Sequence, residues 1–324
     1  MIKLNSYILT SPHTGIYFGV VGSGVIIPYD PVDKVRGCIM GGEASGNTNV
    51  IEYITIASTG NSSDFGDLSV ARMGGAGAGS DLRGVFAGGH DGSSSNVIDY
   101  ITIASTGNAS DFGDLSVARH YVAGTASYIR AVFGGGSASG TPSDTIDYIT
   151  IASTGNAADF GNLVEGGKFS MAGVSDKLDN GSTRAVFAGG AVEGSTPQNS
   201  MSYIAIATAG NSTDFGDLTT ARYSPAGVNS DVRGVFCGGY IQGVGDTDVM
   251  DYITIDSAGN ATDFGDLIVD NQTQAGMSST TRGVMAGGHD GAKTEAMGYI
   301  TIANTGAETD FGDLSVAKNN CGGI

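Results

Sequence analysis

Six of the nine arginines in this 324-residue chain stand at the same place in a repeating pattern: Arg36, Arg83, Arg130, Arg184, Arg233 and Arg282. A ring of guanidinium groups, each a planar fork of fixed donors, can clamp an anion such as a sulfated or sialylated glycan. The alternative, and the expected arrangement, is that each arginine pairs with a scaffold aspartate of its own or the next unit, because aspartates recur with the same period. His90-Asp91 and His289-Asp290 recur in two loops only. Two histidines in separate units do not assemble the four converging ligands that zinc asks for, so neither a metal nor a cofactor is expected. Asp-Phe-Gly occurs six times with no glycine-rich loop or lysine partner beside it, so its likeness to the kinase motif is coincidence. The third unit breaks the pattern most, at Asn162, Glu165, Lys168, Asp176, Lys177 and Asp179, and its Glu165 and Lys168 read as a solvated loop. Asn61, Asn108, Asn211 and Asn260 each begin a glycosylation-type triplet, but asparagine after glycine is what a tight hairpin takes.

What positions these groups is the repeat itself. Ile98-Asp99-Tyr100-Ile101-Thr102-Ile103, then Thr106-Gly107-Asn108, then Asp111-Phe112-Gly113-Asp114-Leu115 read as two strands joined by a tight turn. The Tyr-Ile core recurs at Tyr53, Tyr100, Tyr148, Tyr203, Tyr252 and Tyr299, at spacings of 47, 48, 55, 49 and 47 residues. Strand-turn-strand content repeated at about fifty residues predicts a propeller or solenoid. Each of the six arginines opens an apolar run that ends in a glycine pair, as in Arg83-Gly84-Val85-Phe86-Ala87-Gly88-Gly89. A strand apolar on both faces must be covered on both sides, and radially packed sheets provide that cover. Connections through Arg72, Arg119 and Arg222 lead to segments carrying Ala-Gly, whose small side chains suit an innermost strand crowded at an axis. In the outermost strand Leu115 and Val117 are expected to oppose Asp114 and Ser116. Four strands per unit and six units predict an all-β, six-bladed β-propeller over residues 36–324, each blade a four-stranded antiparallel sheet.

Residues 1–35 have no counterpart in the repeat. Their strand-like runs end in the turn chemistry of Pro28 and Pro31, and the segment is expected either to dock another protein or to cover an edge. The chain enters the first blade at its second strand and reaches Ile324 where a new inner strand would begin. Val25-Ile26-Ile27 or the tail Cys321-Gly322-Gly323-Ile324 supplies the missing strand, and the N-terminal run is favoured because the tail is so short.

Composition agrees with this reading. Fifty-four glycines, no tryptophan and 15% charged residues describe tightly turned β structure. A net charge of −18 speaks against nucleic acid or an anionic membrane as partner. Much of that acidity belongs to the scaffold, at Asp64, Asp111, Asp159, Asp214, Asp263 and Asp310 and again three residues later in most units. Three cysteines make no disulfide framework, and Cys38 and Cys237 fall where other units carry small core residues. Polar residues break the N-terminus too often for a signal-peptide core, and no stretch approaches the about twenty apolar residues of a membrane span.

An apolar strand ending in Gly-Gly, a variable loop, Asp99-Tyr100, Phe112 some ten residues on and then Arg119 resemble the kelch repeat over residues 36–318. Phenylalanine stands where that family has tryptophan, and its Tyr-Asp order is reversed. The Thr-Gly-Asn-Ala-Thr-Asp-Phe-Gly-Asp-Leu pattern is also similar to glycine-rich repeat proteins among the predicted virion and tail-fibre proteins of marine tailed phages. Ser212-Thr213-Asp214-Phe215-Gly216-Asp217 resembles the Asp box of sialidase-type propellers, which in that family is an element of the fold.

The Thr-Gly-Asn corners barely differ between units, whereas the loops after the glycine pair do. In a four-stranded blade those loops and the connections between blades emerge on one face of the disc, over a rigid frame. That face is the expected recognition surface, with His90, Asp91, Tyr240, Ile241, Gln242, His289 and Asp290 as candidate binding residues. No residue is assigned a catalytic role. The phage resemblance implies a virion protein assembled in the host cytoplasm, a tail-fibre or decoration module that contacts other virion proteins through residues 1–35 and binds a host-surface glycan. A sialidase-like glycan hydrolase and a purely architectural virion subunit are the alternatives; the former needs unrepeated carboxylates converging in one pocket.

Overall fold

The structure, a computed structural model, describes residues 17–20, 26–29, 36–176 and 183–324. The chain divides into two units, Met1–Val35 and Arg36–Ile324. In the first, Tyr17–Val20 and Ile26–Tyr29 pair as an antiparallel hairpin with Val20 opposite Ile26.

The second unit consists of six four-stranded antiparallel sheets, flanked by short two-stranded ribbons in three of the loops. Blade two shows the plan: inner strand Ala76–Gly79, second strand Arg83–Ala87, third strand Val97–Thr102 and outer strand Ser110–Asp114, in that order across the sheet. The inner strands of successive blades lie side by side around a common axis, so the six sheets close into a β-propeller. In every second strand the first residue is half-buried and the next four are buried, as the two-faced apolar pattern requires.

The core lies between blades. Ile98, Phe112 and Leu115 of blade two meet Ala131, Phe133 and Ile149 of blade three. Ile39, Ile54 and Ile56 of blade one meet Val284, Met297 and Phe311 of blade six. Six such clusters fill six seams, and the one joining the last blade to the first demonstrates that the ring is complete.

Two glycine positions set this geometry. Gly113 of Asp-Phe-Gly has φ of 145° beside the register shift at Ile98/Asp99, and a Cβ there would come 2.5 Å from the Gly155 carbonyl oxygen of the next blade. The repeated Asp-Phe-Gly is thus a packing device, with Phe112 buried edge-to-face on Tyr100 at 5.9 Å. On the inner strands Gly77, Gly124, Gly173, Gly227, Gly276 and Gly323 form a ring. A Cβ on Gly173 would meet the Gly124 carbonyl oxygen at 2.7 Å, one on Gly227 the Gly173 oxygen at 2.7 Å, and so around the axis.

The structure corrects three expectations here. The tail closes the ring, not Val25-Ile26-Ile27: Gly322–Gly323 pairs with Met40 and Ile39, and Cys38 and Ile324 exchange backbone hydrogen bonds of 3.1 Å. Shortness is no obstacle, because every other inner strand is itself four residues long. Val117 lies beyond the outer strand, which stops at Asp114, and is 43% exposed while Leu115 is buried. Asparagine after glycine serves the neighbouring blade rather than its own hairpin. Asn108 Oδ1 accepts from the Asp67 N–H at 3.1 Å, and Asn61 does the same for Asp313 across the closing seam.

Candidate functional site

The two faces of the disc differ in kind. On the face where the second strands begin, Arg36, Arg83, Arg130, Arg184, Arg233 and Arg282 each lay the guanidinium over the tyrosine of their own blade, 4.2 to 4.7 Å from the ring centroid. Each also donates through Nη1 to a carbonyl of the next blade, as Arg83 does to Ile151 at 2.9 Å and Arg282 to Ile56 at 3.0 Å. These contacts replace the expected pairing with aspartates. The register explains why: Arg83 lies opposite Thr102, whereas Asp99 lies opposite Phe86, three residues further along the blade. The six arginines are inter-blade latches, held by cation–π contact and hydrogen bonds.

The aspartates meet the other arginines. Arg72 and Asp99 pair at 2.9 Å, Arg119 and Asp147 at 2.7 Å, and Arg222 and Asp251 at 2.8 Å, all essentially without solvent exposure. Lys168 fills the same place in the third unit, buried against Glu165 and Ser200, so it is a core cation and not part of a solvated loop. Lys177 and Asp179 lie outside the described residues. Lys318 pairs with Glu52 at 2.7 Å. Burial alone would raise the Glu52 carboxyl, but the Lys318 ammonium and hydrogen bonds from Ser62 and Ser315 outweigh it and hold the group below its usual range.

On the opposite face, loops and connections emerge together as expected. The residue after the buried cation, or after the Asn271 that replaces it, bridges to the first residue of a loop: Met73 to His90, Tyr223 to Tyr240, Gln272 to His289. One residue further along, the chain forms a closed circle of backbone hydrogen bonds around the axis. Tyr121 N–H donates to Gly74, Ser170 to Tyr121, Ser224 to Ser170, Thr273 to Ser224, Asn320 to Thr273 and Gly74 to Asn320, at 2.5 to 3.0 Å. All six residues have φ between 54° and 65°, and five of them are not glycine. An L-residue there costs about 1–2 kcal/mol, a strain that the circle of hydrogen bonds holds in place.

Above this circle is a depression of about 250 Å³. Tyr121, Phe169 and Tyr223 wall one side and Gln272, His289 and Asn319 the other, and Ser170, Ser224, Thr273 and Asn320 of the circle itself complete the lining. The aromatic side continues outward: Phe169 and Tyr121 lie 6.4 Å apart with rings tilted by 35°, His120 sits edge-on to Tyr121 at 4.8 Å, and His90 edge-on to His120 at 5.2 Å. Tyr223 lies against Tyr240 at 5.1 Å. On the polar side Asp246 accepts from Gln272 Nε2 at 2.7 Å and lies 3.1 Å from His289 Nδ1. Burial, then His90, lowers the His120 pKa; burial, then Glu43, raises that of Tyr121.

Of the residues singled out from the sequence, His289 lines the depression. His90 and Tyr240 stand half-buried just outside it, each through an aromatic neighbour. Ile241 is held in a two-residue ribbon opposite Gly245, and Gln242, Asp91 and Asp290 are exposed at loop tips. His120, Tyr121, Phe169 and Tyr223 escaped the sequence reading. For His120, Phe169 and Tyr223 the signal is variation at one fixed register: Met73, His120, Phe169, Tyr223, Gln272 and Asn319 each follow the buried basic position, or the Asn271 that replaces it, and no two are alike. Among the described residues no three metal-binding side chains converge, and no helix is long and apolar enough to cross a membrane.

The class of protein that fold and site define is a six-bladed β-propeller with one uniform and one varied face. No protein-family model matches the chain, and no curated protein matches it in sequence.

Proposed function

We propose that the chain is a non-enzymatic component of a phage virion, of tail-fibre or decoration type, held by residues 1–35 and presenting its varied face to a glycan on the host surface. The observation that carries this reading is the contrast between the faces. Six near-identical arginine latches mark one, and six different side chains at one register mark the other. A frame that repeats beneath a face that does not is how rigid scaffolds carry specificity. The likeness of the repeat to tailed-phage virion proteins supports the setting, and its likeness to the kelch repeat supports a binding role. The lining of the depression favours binding over hydrolysis. Glycosidases work with two carboxyl groups roughly 5–10 Å apart, and the side chains around this depression are Tyr, Phe, Ser, Gln, Thr, His and Asn.

Two measurements test the reading. Gold-labelled antibody against residues 36–324 should decorate particles purified from the producing culture, and particles made with a chain lacking residues 1–35 should lose the label. The purified chain should also bind envelope fragments of the cells on which those particles grow. Tyr240→Ser on the varied face should weaken that binding, and Leu82→Ser, an exposed residue beside the Arg83 latch, should not. Unlabelled particles would overturn the virion role, and equal binding by both variants would overturn the choice of face.

A further inference from the structure

We infer that the depression at the axis takes the terminal residue of an uncharged sugar, stacked on Tyr121, Phe169 and Tyr223 and hydrogen-bonded by Gln272, Asn319 and Asn320. This rests on the varied face being the recognition face, and it names the ligand class and the residues that select it.

The first support is conformational. The circle around the axis needs left-handed backbone at six places, and blade one meets that need with Gly74, which bears the strain at no steric cost. Tyr121, Ser170, Ser224, Thr273 and Asn320 meet it with side chains, Thr273 even with a β-branched one. Glycine would satisfy the scaffold at all five. Side chains carried at strained positions by residues that all line one depression indicate a use for the side chains themselves.

Charge is the second support. Among the described residues, neither lysine nor arginine lines the depression. The cations nearest in sequence, Arg119, Lys168, Arg222 and Lys318, are buried against carboxylates, and Lys293 pairs with Glu43 at 3.0 Å. The carboxylate on the polar side, Asp246, already faces His289 and Gln272. In a chain of net charge −18 such a lining holds no lysine or arginine to pair with a sialylated or sulfated end and no carboxylate to pair with a cation.

The third support is the division of the walls. Aromatic rings come from three successive connections, between blades two and five, and amides from the remaining side. A pyranose is amphipathic in the same way, with a C–H face that stacks on an aromatic ring and a rim of hydroxyls. Amides match that rim because each both donates and accepts. The volume, about 250 Å³, falls below the roughly 300–1,000 Å³ of pockets that enclose drug-sized ligands. It suits one ring held end-on.

The test is binding of the full chain to immobilised oligosaccharides with neutral hexose or N-acetylhexosamine ends and to the same chains capped with sialic acid or sulfate. Neutral ends should bind, and acidic caps should weaken binding about tenfold or more. Tyr121→Gly, which reproduces the Gly74 backbone, and Phe169→Ala should each weaken binding about tenfold. Leu82→Ser, exposed beside the Arg83 latch on the opposite face, should not. Thermal unfolding of each variant separates lost binding from lost fold, and Phe169→Leu, which keeps most of the bulk and removes the ring, serves if Phe169→Ala does not fold. Preference for acidic ends, or indifference to Tyr121→Gly and Phe169→Ala, overturns the inference. Envelope binding that persists and remains sensitive to Tyr240→Ser while no neutral sugar binds overturns it too, and leaves the broader function standing.

Discussion

Asn271 stands where Arg72, Arg119 and Arg222 stand in other units, and Gly298, the residue that would carry its carboxylate partner, has no side chain at all. Both halves of a buried ion pair are gone together. Glu308 occupies the space left beside Gly298, and its carboxylate accepts from the Ile268 N–H at 3.0 Å. That backbone donor is met in every unit: by Asp99 for Ser69, Asp147 for Ser116, Ser212 for Val164, Asp251 for Thr219 and Glu52 for Ser315. The constant requirement is an acceptor for one N–H at each seam, and the ion pair is one of several ways to supply it.

Removing one partner of such a pair leaves a buried charge uncompensated. Asp251→Gly or Arg222→Asn alone should lower stability by about 3–5 kcal/mol, measured by urea unfolding. The two together with Ala261→Glu reproduce the arrangement of blade six and should recover most of the loss. A triple variant as unstable as the sum of its parts would show that the pairs are not interchangeable.

Glu52 and Glu308 should respond to pH in opposite senses. Burial raises the Glu308 pKa, with Asp310 adding to it, so its contribution is greatest below about pH 4 and is lost as pH rises through the raised value. Glu308→Gln should therefore stabilise the protein at pH 7 and make little difference at pH 4. Glu52 is held low, so its contribution is present above its unfolded value and is lost as pH falls. Glu52→Gln should destabilise at pH 7, and the difference from wild type should shrink on acidification. Thermal melts of both variants across this range check the signs.

The glycine circle on the inner strands should tolerate no side chain. Gly227→Ala places a Cβ 2.7 Å from the Gly173 carbonyl oxygen, and both backbones are fixed by their sheets. A loss of about 1–3 kcal/mol in chemical unfolding is expected. Gly46→Ala, which meets nothing within 4 Å, should be neutral.

Closure by the tail is equally testable. Ile324 packs in the seam between blades one and two, half-exposed, and its replacement by alanine should cost about 1–2 kcal/mol. Removing residues 321–324 should strip Ile39 and Met40 of their inner neighbours, seen as faster amide exchange in Arg36–Met40 than in Arg83–Ala87.

The frame was legible in the sequence because a repeat reports six times on the same environment. Val85 and Phe86 could be placed as doubly covered once their copies agreed, and Ala76-Gly77 as axial once a period fixed its place. Two sets of arginines share that period, however. Only the pairing of Phe86 with Asp99 decides which set meets the aspartates, and register is invisible without coordinates. The depression was hidden for a related reason. Tyr121, Phe169 and Tyr223 lie about fifty residues apart as single side chains between a buried cation and an inner strand, and they become neighbours through closure of the ring.

Because residues 322–324 complete the sheet that residue 36 opens, the first blade stays one strand short until those residues have left the ribosome. During synthesis the nascent protein is an arc of sheets with an uncovered flank at each end. The step that joins those flanks brings Ile39 to Gly323, a contact far apart in the chain, so it should be the slow step of folding and the stage at which a helper protein protects it best.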